Sequence, residues 1–494
     1  MCGIAGSFNN PDPEKVKLML KQIEHRGPDG QGIENFNKGT LGHTRLAIID
    51  IEGGHQPMGF GNIWIAFNGE IYNYRELASE YLQDIHLITH SDTEVIVHLY
   101  RKFGPSCLKL LRGMFAFAII QEDELFLARD LVGIKPLYCG EKDGTFYFAS
   151  EIKALSKVTD KIREFPAGHW YHSRKGWHCY HEISASSVDV RTEQEATELI
   201  HSTLDEAVRM RLIADVPVGI SLSGGLDSSI VAWLANQHTD HLHSFAVGME
   251  GSEDIRAARK MAAILGTRHH ERIYNEEEMI AILPKVIYHL ESFDPALVRS
   301  AIPNYFLSEM ASQEVKVILT GEGADEVYAG YDYLSQYSNP DLLQHELFDI
   351  TNSLHNTNLQ RADRIAMAFS LEARVPFLDI RSINLGLGLP PDLKMHHHHI
   401  AKYLLRSAFR ANLPDEITFR PKLKFSKGAG SSDVLAQQAN KSISDGLYES
   451  ERARLLYEWN YRLPNKEALY YYQILCRSYQ DNWIFPTMGQ SRSL

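Results

Sequence analysis

Cysteine is scarce and scattered. The 494 residues hold five, Cys2, Cys107, Cys139, Cys179 and Cys476, an odd number with no CxxC pair. These cysteines offer no zinc site, and the pattern fits a reducing cytoplasm rather than an oxidising compartment. Basic charge is in deficit: 50 Lys and Arg against 63 Asp and Glu leave a formal charge of −13, which argues against nucleic-acid binding by bulk charge. No apolar run approaches the about 20 residues that a bilayer span needs, and the opening MCGIAGSFNNPDPEK has neither the basic nor the apolar region of a signal peptide. At 44% hydrophobic and 23% charged, the chain is too rich in apolar residues to be largely disordered. The expectation is a soluble cytoplasmic protein without membrane or nucleic-acid partners. At roughly 100–200 residues per domain, it has two large domains or three small ones.

The first half reads as β-rich. Runs with strand character at Ile63–Phe67, Phe115–Ile120, Leu125–Ala128 and Phe146–Ala149 are separated by Gly, Asn and Asp turns. One early helix is expected over Pro13–His25, with Val16, Met19, Leu20 and Ile23 on one face. The texture changes near residue 190. Ser184–Ser187 is a polar connector, and Thr192 with Glu195 forms a capping box opening a helix through Ile200, Leu204, Val208 and Leu212. Strands at Val216–Leu222, Ser244–Val247 and Val315–Thr320 then alternate with helices, which predicts a parallel sheet of βαβ units. Ligands in such sheets sit beyond the carboxyl ends of the strands, where two Gly-rich loops fall. From about residue 340 the chain reads as helical. A four-histidine run, His396–His399, can bind metal without any biological role.

Cys2 carries specific chemistry. Removal of Met1 would leave a cysteine with a free α-amine of pKa about 7.7–8.0, close enough to neutrality to take the thiol proton. A thiol and its own amine make a minimal nucleophile–base pair. His25-Arg26-Gly27-Pro28-Asp29, Arg45-Leu46, Asn68-Gly69-Glu70 and Ser91-Asp92 follow in order. With the Cys-Gly-Ile start, these motifs make the first 180 or so residues resemble a class II glutamine amidotransferase domain, an N-terminal-nucleophile glutaminase. The resemblance implies an αββα sandwich. It also implies that the Asn68 side chain and Gly69 N–H stabilise the oxyanion, that Arg45 forks onto the glutamine α-carboxylate and that Asp92 holds its α-ammonium. Leu46, Ala47, Ile48, Ile49 and Glu70 would complete the glutamine site. His25 could merely shape the pocket.

The loop Ser223-Gly224-Gly225-Leu226-Asp227-Ser228-Ser229 follows a strand and opens a helix. Glycines permit close backbone approach, serines add donors, and the helix N-terminus favours an anion. It lacks the Gly-Lys-Ser/Thr of a P-loop, which argues against kinase-type transfer. The second loop, Thr320-Gly321-Glu322-Gly323-Ala324-Asp325-Glu326, brings carboxylates to the same sheet edge. Asp227 and Asp325 are the natural Mg²⁺ ligands, since Mg²⁺ is held by one or two carboxylates plus phosphate oxygens.

The first loop resembles the PP-loop of ATP pyrophosphatases. With Leu371–Asp379 and Arg420-Pro421-Lys422, nearly the whole chain resembles the glutamine-hydrolysing asparagine synthetases. That resemblance implies a glutaminase domain at 2–185 and an α/β, ATP-pyrophosphatase-like synthetase domain at 195–490. Ser221, Leu222, Val247, Thr320 and Gly321 would hold the adenosine of ATP, and Ser223, Gly224, Gly225, Asp227 and Ser228 its phosphates. Glu322 would favour the acyl-adenylate, and Lys422 would stabilise charge near the phosphates. Glutamine, aspartate and ATP would be the substrates, Mg²⁺ the metal, and a homodimer the expected assembly. Three segments depart from the family pattern: Ser221-Leu222, Leu423–Lys427 and Asp294–Arg299. The last two leave open an acceptor other than aspartate. A sugar-phosphate aminating enzyme should lack the Ser223–Ser229 loop, and a degenerate scaffold should have lost Cys2, Asp227 or Asp325.

Overall fold

The computed structural model describes residues 2–183, 188–394, 400–421 and 432–491. Ser184–Ser187, His396–His399, Lys422 and Leu423–Lys427 lie outside the described residues.

The first lobe is built on two six-stranded antiparallel sheets. One runs Ile162–Glu164, Tyr138–Lys142, Thr145–Ala149, Gly3–Phe8, Gly39–Arg45, Gly30–Asn35. The other runs Gly176–Cys179, His169–His172, Glu124–Arg129, Gly113–Gln121, Ile63–Ile71, Met58–Phe60. Period-2 alternation gives each strand two different faces. In Gly113–Gln121, Ala116, Ala118 and Ile120 join Phe8, Leu41 and Phe148 in one apolar cluster. Phe115, Phe117 and Ile119 join the cluster formed with helices Tyr74–Tyr81 and Asp92–Phe103. Helix Pro13–Gln22 packs on the first sheet through Val16, Met19 and Leu20. The layers are therefore αββα. The early helix stops three residues before the expected His25, and the chain tightens into a 3-10 turn, Glu24–Arg26, that buries Arg26.

The second lobe carries a five-stranded, wholly parallel sheet in the order Arg268–Ile273, His243–Gly248, Val218–Ser221, Val317–Leu319, Glu372–Arg374. The Thr192 capping box forms and opens helix Glu193–Met210, which buries Ala196, Ile200, Leu204 and Val208. Ile220, Ala246, Val317 and Leu319 pack into one cluster, while Phe245, Val247 and Ile318 pack into another. Both faces are thus covered, as parallel sheets require. One expectation needs correction. The chain is not wholly helical after residue 340, because Glu372–Arg374 forms the fifth strand. Three residues with charged ends carry no readable alternation, and the ladder to Val317–Leu319 decides their conformation.

Buried charge joins the lobes. Arg26 meets Glu151 at 2.6 Å and Asp363 at 2.8 Å. Lys135 reaches Asp363 at 3.4 Å, Lys153 reaches Glu291 at 3.1 Å, and Arg364 reaches Glu291 at 3.2 Å. Burial alone would raise the Asp363 carboxyl, but Arg26 and Lys135 hold it down at about 2. A carboxylate depressed in the fold contributes stability above its unfolded pKa of about 3.9 and loses it as pH falls through the folded value. Interlobe stability is therefore expected to drop between about pH 4 and 2. Asp363→Ala, which strips a partner from three buried cations, Arg26, Lys135 and Arg364, should cost about 3–5 kcal/mol. Calorimetry of both proteins across that pH range checks the expectation: the variant should start lower and lose less on acidification.

Candidate active sites

Cys2 enters strand Gly3–Phe8 and is buried at 8% exposure. Its backbone N–H donates to Asn68 Oδ1 at 3.1 Å, and its Sγ lies 3.9 Å from Leu46 O. Burial, with Glu70 and Glu372 behind it, pushes the thiol above its ordinary pKa. Asn68 lies on strand Ile63–Ile71; with its oxygen occupied, the buried Nδ2 has no hydrogen-bond partner among the described residues. A buried amide donor left unmatched is costly unless a ligand meets it. Gly69 has φ +155°, and a Cβ there would stand 2.1 Å from Met114 O, so only glycine lets the two central strands close.

Arg45 ends strand Gly39–Arg45 and donates Nη2 to Asp50 O at 2.6 Å and Nη1 to Ile51 O at 2.8 Å. Asp92 opens its helix and accepts Ile71 N–H at 2.9 Å; burial raises its carboxyl to about 6. Glu70 is also buried, its pKa raised well above the usual value by burial and by the neighbouring Glu372 and Asp92. Leu46 and Ile48 turn into the cluster shared with the second lobe. Ala47 N–H is held by Asp29 at 2.8 Å, and Ile49 packs half-buried beneath the same loop. His25 contacts Glu151 at 3.3 Å.

In the second lobe, strand order reverses between Val218–Ser221 and Val317–Leu319, the place where open α/β sheets bind ligands. A cavity of about 260 Å³ opens there. Its wall includes Ser221, Ser223, Gly225, Asp227 and Ser228 from the first loop and Thr320, Gly321, Glu322 and Asp325 from the second. The two loops touch: a Cβ on Gly321 would stand 2.8 Å from Asp227 Cβ. Helix Leu226–Asn236 begins at Gly225 with no side-chain cap, so its first N–H groups face the cavity loop. Leu222, Gly224 and Val247 stand one layer back. Leu222 and Val247 are packed in the core, and Gly224 abuts Ala257. Any contact from them would be through backbone.

Sequence reasoning missed Lys402. It has a left-handed backbone, φ +58°, and its Nζ bridges Asp227 at 2.5 Å and Asp325 at 2.6 Å. It belongs to no motif, and only the fold brings it to the two loops. Arg361 was also missed; it pairs with Glu322. A fully buried helix carrying Arg361, Asp363 and Arg364 offered a signal, because charges are seldom buried without partners. Arg374 is the third. Its carbonyl accepts Thr320 N–H at 2.9 Å, while its guanidinium stands 3.6 Å from Glu70, so one residue touches the environments of both sites.

Residues 1–177 match the glutamine amidotransferase domain family, and residues 199–347 and 335–475 match the asparagine synthase family. The chain is 38% identical to a probable glutamine-hydrolysing asparagine synthetase of Schizosaccharomyces pombe, over 95% of this chain and 92% of that protein. This chain belongs to the glutamine-hydrolysing asparagine synthetase family. Asparagine synthetase B of Escherichia coli is 36% identical over 96% of this chain and 90% of its own length. Asparagine synthetase 3 of Arabidopsis thaliana is 38% identical, with 95% and 86% covered.

The Lys402 bridge generates a prediction. Lys402→Met removes the buried cation that bridges Asp227 and Asp325, and should destabilise by about 3–5 kcal/mol. Millimolar Mg²⁺ should raise the melting temperature of the variant more than that of the parent, measured by calorimetry.

Proposed function

We propose that the chain is a glutamine-dependent asparagine synthetase, an ATP-dependent amide ligase. Its first lobe hydrolyses glutamine and its second uses the ammonia to amidate aspartate. The observation that carries this reading is the coexistence of two sites in one chain of this family. One is a buried thiol beside an unpaired amide donor; the other is a switch-point cavity lined by a glycine loop and converging carboxylates. We assign glutaminase chemistry to residues 2–185 and synthetase chemistry to 195–490.

In the first lobe, the α-amine freed by Met1 removal takes the Cys2 thiol proton, and Sγ attacks the glutamine amide carbon. Asn68 Nδ2 and Gly69 N–H meet the oxyanion. The proton passes to the departing ammonia, and water then cleaves the thioester to release glutamate. Arg45, steadied by two carbonyls, offers its remaining N–H groups to the α-carboxylate, and ionised Asp92 offers its charge to the α-ammonium. Leu46 to Ile49 and Glu70 line the substrate's approach.

In the second lobe, the aspartate β-carboxylate attacks the α-phosphorus of ATP and pyrophosphate leaves. Ammonia then attacks the β-aspartyl-AMP carbonyl, and AMP departs. Ser223, Gly225 and Ser228, with the backbone of Gly224, cradle phosphate, while Ser221, Thr320 and Gly321, with the backbone of Leu222 and Val247, face the nucleoside. Glu322 acts on the acyl-adenylate and Lys422 near the phosphates. Asp227 and Asp325 fit Mg²⁺, because their carboxylates already converge on one positive point, Lys402 Nζ. Bound there, Mg²⁺ would neutralise and orient the phosphates. Among the described residues no helix is long and apolar enough to cross a membrane; we place the enzyme in the cytoplasm, as a homodimer. A second reading, amidation of a different acid, draws on Ala296 and Leu297, which give the cavity an apolar wall.

A product assay with glutamine, ATP, Mg²⁺ and aspartate should yield asparagine and AMP in step, and only with aspartate present. Glutamate alone would point to another acceptor. Cys2→Ala should abolish glutamine-dependent but not ammonia-dependent synthesis, and equal loss of both would sink the two-site assignment. Asn68→Ala should lower glutaminase kcat by roughly 10²–10³. Because Asp92 titrates at about 6, it is neutral below that pH and loses its pull on an ammonium. The KM for glutamine should therefore climb as pH falls through about 6, read from initial rates of glutamate release.

A further inference from the structure

Toward the amino ends of two parallel strands lies a second cluster of ligating side chains. His243 opens strand His243–Gly248, and His270 lies on the neighbouring strand Arg268–Ile273. The register pairs His243 with Arg268 and Phe245 with His270, so His243, Phe245 and His270 project from the same face. Glu314 comes from the turn that precedes strand Val317–Leu319. One ligand atom from each of His243, His270 and Glu314 lies within 4.8 Å of the others.

The spacing of the imidazoles is informative. His243 Nδ1 and His270 Nε2 are 3.3 Å apart. Two nitrogens bound tetrahedrally at about 2.0–2.1 Å stand about 3.3–3.4 Å apart. The His270 ring is fixed by the buried Phe245 ring, 4.8 Å away and tilted by 18°, so its position is set by packing. The Glu314 carboxylate is oriented by Arg268 at 3.5 Å. All three ligands are partly exposed, which leaves an entry path and room for water.

We propose that His243, His270 and Glu314 form a binding site for a borderline transition-metal ion of the Zn²⁺ class, with two imidazoles, one carboxylate and a position left for water. Hard ions such as Mg²⁺ prefer all-oxygen sites, so the ligand set separates this ion from the one proposed for Asp227 and Asp325. The site clamps two strands and the turn before a third. Its role is to hold the sheet edge rather than to touch substrate.

The test uses the full-length protein with His396–His399 replaced by serine, which removes the competing histidine run, and excess Mg²⁺ to occupy oxygen sites. Co²⁺ is titrated and its visible ligand-field absorption followed, then Zn²⁺ is added. The expected result is one equivalent of low-symmetry Co²⁺, displaced by Zn²⁺. His270→Ala should abolish the absorption, and Glu314→Gln should weaken binding roughly tenfold or more. Melting temperature should rise with Zn²⁺ in the parent and not in His270→Ala. Absence of the Co²⁺ signal in the histidine-run variant, or binding unchanged by both substitutions, would overturn the proposal. If His270→Ala does not fold, the partly exposed Glu314→Gln decides alone.

Discussion

The arrangement of this enzyme depends on a buried guanidinium. Arg26 is fully buried and divides its donors between Glu151 of its own lobe, Asp363 of the other, and the carbonyl of Cys2 at 2.9 Å. Removing such a charge from water costs several kcal/mol, offset only when its partners stand in good geometry. The lobes therefore have one way to dock: the way that brings Asp363 to Arg26. The same guanidinium that makes this demand holds the backbone of Cys2. Position of the thiol and position of the second lobe are linked through one side chain.

The seam continues through Arg374. That side chain donates to the carbonyls of Arg211 and Ile213 at 2.7 Å, pairs with Glu372 at 2.6 Å and stacks on Tyr72. Its strand is also the last rung of the parallel sheet, beside the loop that carries Glu322 and Asp325. The apolar clusters tell the same story. Leu46, Ile48, Tyr72 and Met114 share a core with Ile220, Leu319 and Val375, so the lobes share a common interior. An isolated lobe would expose both this apolar surface and a row of unpaired charges.

The nucleophile, the two glycine loops and their carboxylates were legible before the fold because each is a contiguous run whose chemistry is local. Asn68-Gly69 and Thr320–Glu326 name themselves by residue type and order. Lys402, Arg361 and Arg374 were not legible, since each acts on a partner far along the chain. Strand Glu372–Arg374 was hidden for a related reason, being too short for alternation and specified by its neighbour. Val247 and Leu222 show the converse, residues within motif-bearing runs whose side chains turn into the core.

The sequence by itself determined the capped helix that opens at Thr192 and the parallel sheet with loops at its carboxyl edge. These follow from periodicity, capping and turn chemistry, which act over a few residues. Tertiary structure alone decided which charges meet: Arg26 with Asp363, Lys402 with Asp227 and Asp325, Arg374 with Glu70. The physical reason is that electrostatic pairing in a low-dielectric interior is strong but carries no sequence period, so it becomes visible only once packing has chosen the neighbours.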